Sequence, residues 1–138
     1  MKVGQRSELV QAPGARILLV VSPYYESVTE LMEAGAQAAA AAIGAKLEKI
    51  IVPGAFEIPG AIATAARMAT YEGYVALGCV VRGETSHYDY VCGESARGLM
   101  DLTIREGLAI GYGILTSIRS RRRKSAPIPH AETRAVNR

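Results

Sequence analysis

The stretch that decides the fold is Tyr74-Val75-Ala76-Leu77-Gly78-Cys79-Val80-Val81-Arg82-Gly83-Glu84-Thr85-Ser86-His87-Tyr88-Asp89-Tyr90. Its first eight residues form a continuous apolar run, which is typical of a parallel strand buried on both faces. A short polar loop follows, and residues 86–89 then fit the Ser-x-x-Asp pattern that opens a helix. The stretch therefore predicts a buried strand, a glycine-containing loop and a helix that begins near His87.

The loop between this strand and this helix is a candidate anion site. Free N–H groups and the positive end of the helix dipole would both point toward a ligand there. Arg82 adds a positive charge to the loop. The dipole disfavours an imidazolium in the first turn, so His87 is predicted to stay neutral and to exchange protons near neutral pH. The alternative interpretation is an ordinary connecting loop followed by a surface histidine, which is the more common case.

The composition indicates one folded domain. The chain has 138 residues, of which 49% are hydrophobic and 21% charged, and this length buries a core without disulfides or metals. No apolar run reaches the length of a membrane span, and the N-terminus lacks the pattern of a secretory signal. Cys79 and Cys92 have no metal-like spacing and are interpreted as reduced core thiols. We therefore expect a cytoplasmic protein.

The basic charge is concentrated in residues 117–138. This segment holds seven of the sixteen Lys and Arg residues and one of the thirteen acidic residues, which gives it a net charge of +6 and leaves residues 1–116 at −3. The domain itself is mildly acidic, so the basic balance of the whole chain does not indicate nucleic-acid binding by the domain. A nucleic-acid binder that acts through the basic tail remains a weaker alternative.

The rest of the chain alternates strands and helices. Residues 1–14 are predicted to form an N-terminal arm. Predicted strands cover residues 15–22, 46–52, 74–81 and 108–115, and predicted helices cover 27–43, 59–70 and 87–106. This order predicts an α/β fold with a four-stranded parallel sheet and helices on both faces. The third helix is predicted to bury one stripe of its surface, which consists of Tyr88, Cys92, Ala96, Leu99 and Thr103.

The polar loops fall at the carboxyl ends of three predicted strands, where ligands bind to parallel sheets. They cover residues 22–26, 53–59 and 82–87. Tyr24 can be a packing aromatic or can stack on a heterocycle. Glu57 can be a first-turn acid or an acceptor for the hydroxyls of a polyol. Phe56 is expected to pack, and Tyr112 can be a core residue or the second wall of an aromatic slot. The sequence shows no Ser-His-Asp set, metal-ligand cluster or Walker-type loop.

Two motifs closely resemble the 6,7-dimethyl-8-ribityllumazine synthase family of riboflavin biosynthesis. They are Pro-Gly-Ala-Phe-Glu-Ile-Pro at 53–59 and Gly-Cys-Val-Val-Arg-Gly-Glu-Thr-Ser-His-Tyr-Asp-Tyr-Val at 78–91, and the resemblance spans residues 15–116. It implies a flavodoxin-like three-layer α/β/α sandwich. It also implies a homopentamer, or a multiple such as a decamer or a sixty-subunit shell, with active sites between neighbours. The family needs no metal or cofactor.

The resemblance also implies a reaction and a set of site residues. The family condenses 5-amino-6-(D-ribitylamino)uracil with 3,4-dihydroxy-2-butanone 4-phosphate, releasing phosphate and water. His87 matches the proton-transfer residue, Tyr24 the aromatic that stacks on the pyrimidine, and Tyr112 the aromatic that a neighbouring subunit supplies. The remaining matches are the loop that holds the ring and the ribityl chain (Ala55, Phe56, Glu57), the strand end beside the pyrimidine (Val80, Val81), and the phosphate-binding turn (Gly83, Glu84, Thr85). Arg82, beside this turn, is a further candidate for substrate binding.

The chain departs from the family pattern at two places. Pro23-Tyr24-Tyr25 replaces the more common Arg-Phe-Asn. Residues 117–138 lack the helical stripes of the two helices with which the family continues, which carry an Arg and a Lys that help to bind phosphate. One alternative is therefore a non-catalytic family member that binds ligands or forms shells. A second interpretation of the tail is a shift of the reading frame after Thr116, since GC-rich codons permit a more family-like translation; the gene sequence decides this point.

Overall fold

The structure is a computed structural model that describes residues 8–23 and 26–118. The predictions for Tyr24, for the beginning of the N-terminal arm and for the basic tail beyond residue 118 lie outside the described residues. Within them, every predicted strand and helix is present, with small shifts at the ends.

The described chain forms four strands and three α-helices in strict alternation. They are β1 (Arg16–Val21), α1 (Glu26–Ile43), β2 (Lys46–Ile51), α2 (Ile58–Met68), β3 (Gly73–Val81), α3 (His87–Arg105) and β4 (Ile110–Ser117). A short 3₁₀ turn at Ala55–Glu57, which was predicted as a loop, precedes α2. Pro59 lies in the first turn of α2, where its missing N–H costs no helical hydrogen bond.

The four strands form one parallel sheet in the order β2-β1-β3-β4. The buried pair β1 and β3 lies in the middle, in the register Leu18↔Tyr74 to Val21↔Leu77. The strand order reverses between β1 and β3, which creates a crevice at the carboxyl ends of these two strands. This arrangement confirms the predicted α/β fold with a flavodoxin-like sheet.

The helices cover the sheet as three layers. On one face, α2 and α3 contribute Ile58, Ile62 and Leu99 to a core with Leu18 and Val20 of β1. On the other face, Met32 and Ala36 of α1 pack against a smaller group made of Leu19, Val21 and Leu77. Successive residues of β1 thus face opposite cores, as the pleat of a strand requires.

Helix α3 buries a different stripe from the predicted one. The fully buried residues are Val91, Ser95 and Leu99, spaced four apart. Of the predicted stripe only Leu99 is buried, while Cys92 is half-buried and Thr103 is exposed. The row through Val91 points toward the 3₁₀ turn and α2, and this orientation decides which α3 side chains reach the ligand-binding edge.

The cysteines also differ from the prediction. Cys79 and Cys92 are both free thiols, as expected, but each is half-buried and neither belongs to a core cluster. Burial raises the pKa of the Cys79 thiol, which keeps it protonated.

A hydrogen-bonded cluster lies at the edge of the sheet where the strands begin. The Arg16 guanidinium donates to Glu48 at 2.8 Å and lies 4.7 Å from the Tyr71 ring centroid. The Tyr71 hydroxyl donates to the other Glu48 oxygen at 2.6 Å. The Arg16 backbone N–H donates to Glu72 at 2.6 Å. These contacts tie β1, β2 and the segment before β3 together at the edge opposite the polar loops.

The hydrogen bond from Tyr71, together with that from Arg16, lowers the pKa of Glu48 below its ordinary value of 4.5. A carboxyl whose pKa is depressed in the folded chain stabilises it above the unfolded value and loses this effect as the pH falls through the folded value. We therefore expect the difference in unfolding free energy between the wild type and Glu48→Gln to shrink as the pH falls from neutrality to below 4.5. Urea unfolding of both proteins at several pH values between neutrality and below 4.5 measures this difference in free energy. A difference that stays constant over the pH range contradicts the role of Glu48 ionisation.

Candidate active site at the carboxyl edge of the sheet

A cavity of about 290 Å³ lies in the crevice between the carboxyl ends of β1 and β3. Its walls come from Ser22 after β1, from the segment 53–57 after β2, from the end of β3, and from α3. Backbone hydrogen bonds hold these ends in line: Ser22 N–H donates to Leu77 O, and Val52 N–H donates to Val21 O, each at 2.9 Å. The volume is at the lower end of the range of about 300–1,000 Å³ for small-molecule sites.

The cavity brings together six of the residues predicted from the sequence. They are Ala55, Phe56, Glu57, Val80, Val81 and His87. Five further lining residues were not among the predicted site residues: Ser22, Pro53, Gly54, Cys79 and Val91. Two of these residues could have been predicted from the face that each element buries. Alternation along β1 would have indicated Ser22, and the correct buried stripe of α3 would have indicated Val91.

The wall after β2 combines an apolar surface with a carboxylate. Ala55 is buried, while Phe56 is 54% exposed, so the expectation that Phe56 packs into the core is wrong. The Glu57 carboxylate folds back over Gly54, with Oε2 only 3.0 Å from the position that a Cβ on Gly54 would take. Among the described residues this carboxylate has no hydrogen-bond or ion-pair partner. It is available as an acceptor at the mouth of the cavity.

The predicted anion loop retains free donors. Arg82 N–H donates to Ser117 O at 2.8 Å and thus continues the sheet. Within the described ranges, no hydrogen bond uses the N–H of Gly83, Glu84 or Thr85. Instead, the Thr85 hydroxyl accepts from the His87 N–H at 3.3 Å. The three free N–H groups lie directly before the N-terminus of α3, where an anion is favoured.

The helix start differs in detail from the predicted capping pattern. Ser86 occupies the N-cap position but makes no side-chain capping hydrogen bond. The Asp89 carboxylate accepts a hydrogen bond from Arg82 Nη2 at 2.6 Å. The Arg82 guanidinium also lies 5.1 Å from the Tyr88 ring centroid. Its charge is therefore directed at α3, and Arg82 does not line the cavity.

Tyr112 lies apart from the cavity of its own chain. It pairs with Ala76 in the register of β3 and β4, and its side chain is 53% exposed. Partial burial raises the pKa of Tyr112, with smaller contributions from Cys92 and Tyr88. The cavity is lined by Val91 of α3 but not by Tyr88, Cys92 or Tyr112, so Tyr112 does not form the second wall of the cavity in its own chain.

The described residues contain no group of three or more His, Cys, Asp or Glu side chains placed to hold a metal ion. A search of the same residues found no helix that is both long and apolar enough to cross a membrane.

The fold and the site define a class of protein. The chain is an α/β protein with a candidate small-molecule site at the switch point of a parallel sheet, where Glu57 and His87 lie beside an apolar slot. The family to which it belongs is 6,7-dimethyl-8-ribityllumazine synthase, whose sequence profile matches residues 14–127.

Individual relatives agree with this assignment. The chain is 51% identical over 120 residues to the 6,7-dimethyl-8-ribityllumazine synthase of Methylorubrum extorquens (strain PA1), a match that covers 83% of this chain and 69% of the relative. It is 53% identical over 102 residues to the synthase of Novosphingobium aromaticivorans, covering 74% of this chain and 73% of that relative.

Proposed function

We propose that the chain catalyses the condensation of 5-amino-6-(D-ribitylamino)uracil with 3,4-dihydroxy-2-butanone 4-phosphate to 6,7-dimethyl-8-ribityllumazine. Family membership supports an enzyme of this transferase class. The observation that carries the proposal for this chain is the cavity in which His87 and Glu57 face an apolar slot beside the free N–H groups of residues 83–85. No described feature favours the alternative of a non-catalytic family member.

The cavity suits a flat heterocycle with a hydroxylated chain. Val80 and Val81 offer an apolar edge to the pyrimidine, and Phe56 and Ala55 bound the slot on the side of the 3₁₀ turn. The free Glu57 carboxylate accepts hydrogen bonds from ribityl hydroxyls. We assign Tyr24 the role of the stacking aromatic on the strength of the family resemblance alone.

The reaction needs proton transfer and anion stabilisation more than a nucleophile from the protein. The 5-amino group of the pyrimidine attacks the ketone carbon, and water leaves as the imine forms. Phosphate then leaves from the four-carbon unit, and ring closure releases the second water. His87 moves protons among these groups, and the N–H groups of Gly83, Glu84 and Thr85 hold the phosphate. Holding both substrates together supplies a large part of the rate.

We propose that the site is completed by a second copy of the chain in a homopentamer or a multiple of it. The small volume of the cavity, the position of Tyr112 outside it and the exposure of the Tyr112 ring all support a neighbour that supplies this wall. Closed cyclic assembly places the same pair of surfaces at every interface. We place the assembly in the cytoplasm.

The charges of the described site suggest weak binding of phosphate. Arg82 is paired with Asp89, and Glu57 and Glu84 carry negative charge near the anion turn. Further cationic side chains for the phosphate must come from elsewhere in the assembly. The two sources are residues 119–138 and a neighbouring chain. We therefore expect a high KM for the butanone phosphate relative to the pyrimidine.

The test is the appearance of lumazine absorbance or fluorescence when the purified chain meets both substrates, run beside light scattering for the mass of the particle. Product formation above the uncatalysed rate by a particle of five chains, or a multiple of five, is the expected result. A folded assembly that binds the pyrimidine but forms no product supports the non-catalytic alternative. RNA binding that weakens with salt and disappears on deletion of residues 119–138 supports the nucleic-acid alternative.

A further inference from the structure

Ser22 is a buried polar residue in the wall of the cavity. It directly follows β1, and its exposed fraction is 1%. Val20, two residues earlier, faces the core beneath α2 and α3, whereas Val21 faces the α1 side. Alternation along the strand therefore directs the Ser22 side chain toward α2, α3 and the cavity.

The surroundings of this hydroxyl are apolar. The Cβ atoms of Ser22 and Ala55 each lie 3.6 Å from the position that a Cβ on Gly78 would take, and Ile58 Cδ1 lies 3.7 Å from it. The Ser22 Oγ is buried and has no hydrogen-bond partner among the described residues. The backbone is fixed, since Ser22 N–H donates to Leu77 O at 2.9 Å.

Stability alone does not explain a hydroxyl at this position. A buried hydroxyl without a partner carries the cost of its lost hydration with nothing to offset it. Alanine would fill nearly the same space without that cost. The only described environment that offers the hydroxyl a partner is the cavity that Ser22 lines, once a polar ligand occupies it.

We propose that Ser22 is a specificity-determining residue whose hydroxyl forms a hydrogen bond with the polar edge of the bound pyrimidine. This inference rests on the proposed function. A uracil ring presents carbonyl acceptors and N–H donors along its edge, and a serine hydroxyl serves as either partner. Ser22 lines the cavity, and rotation about Cα–Cβ between staggered positions redirects the Oγ without moving the backbone.

The test uses 6-(D-ribitylamino)uracil, which lacks the 5-amino group and therefore binds without reacting. Calorimetry is expected to show that Ser22→Ala raises the Kd of this probe by about 2- to 12-fold, the range of one net hydrogen bond. The resistance of the variant to urea should be unchanged or higher than that of the wild type, because a buried hydroxyl without a partner has been removed.

Thr29 provides a matched control. Its hydroxyl is also buried and without a partner among the described residues, and Thr29 is 3% exposed, but it does not line the cavity. Thr29→Val should affect urea resistance in the same direction while leaving the Kd of the probe unchanged.

Three results would overturn the inference. An unchanged Kd in Ser22→Ala, with a wild type that binds the probe and forms lumazine, rejects the role of Ser22 and leaves the proposed function standing. A weaker Kd accompanied by lower urea resistance shows that Ser22 is structural. A wild type that neither binds the probe nor forms lumazine rejects the proposed function, and the inference falls with it.

Discussion

Replacement of His87 by alanine is expected to lower kcat/KM for lumazine formation by about 10- to 1,000-fold, within the range of general acid–base assistance. His87 is the only histidine that lines the cavity in the described chain, and it follows residues 83–85, whose N–H groups have no partner among the described residues. The loss should fall mainly on kcat, because in the proposed mechanism the imidazole transfers protons and does not hold the pyrimidine. Residual turnover should remain above the uncatalysed condensation, since the two substrates are still held together.

The control for this prediction is a substitution on the same helix away from the cavity. Glu94 pairs with Arg97 on the exposed side of α3, with an Nη2 to Oε2 distance of 2.6 Å. Glu94→Gln should leave kcat/KM, the urea midpoint and the particle mass at the wild-type values. His87→Ala should match the wild type in the last two measurements. Unaltered turnover in His87→Ala would show that another group transfers the protons.

The sheet was predictable because its signals are local. The apolar run before Arg82 has the length and composition of a doubly buried strand, and three more such runs alternate with helical patterns. Once the strands are parallel, the loops that follow them must meet at one edge. For this reason the sequence placed the loops that carry Glu57 and His87 at one edge without any knowledge of contacts, whereas Val80 entered only through the family resemblance.

The errors arose where a side chain has two possible partners. Asp89 fits a capping pattern with Ser86. Its carboxylate instead accepts a hydrogen bond from the guanidinium of Arg82, seven residues earlier, because a charged donor forms the stronger bond. Ser95 lies outside the predicted stripe of α3, yet it is fully buried in the same row as Val91. Which stripe of α3 is buried depends on the side chains of α2 that pack against it. The periodicity of the α3 sequence alone does not contain this information.

The position of Tyr112 illustrates a limit of another kind. Its strand was predicted, and the register beside Ala76 shows which face it occupies. The ring does not line the cavity of its own chain, and in the proposed assembly it would meet the cavity of a second copy. A wall shared between subunits is a property of the assembly, and it enters the argument only through the resemblance.

The close contact between α2 and α3 leads to the prediction with the largest expected effect on stability. A Cβ at Gly98 would lie 2.8 Å from the Cβ of Pro59 and 3.0 Å from its Cγ. The proline ring is rigid and sits in the first turn of α2, so it cannot move aside alone. Gly98→Val is expected to lower the unfolding free energy by about 1–3 kcal/mol through overpacking.

The same substitution should reach the candidate active site, because Pro59 lies two residues after the end of the turn that carries Phe56 and Glu57. Separation of α2 from α3 moves this turn relative to His87, and a displacement of about 1 Å between reacting groups costs about 100-fold in rate. Urea unfolding and the lumazine assay measure the two effects. Gly93 lies on the same helix with open space around its Cβ position. Gly93→Val should therefore leave the rate of lumazine formation unchanged and alter the unfolding free energy only by the small difference in helix propensity. If Gly98→Val unfolds at the same urea concentration as Gly93→Val, the contact with Pro59 does not set the spacing of the helices, and the wall of the cavity depends on other contacts.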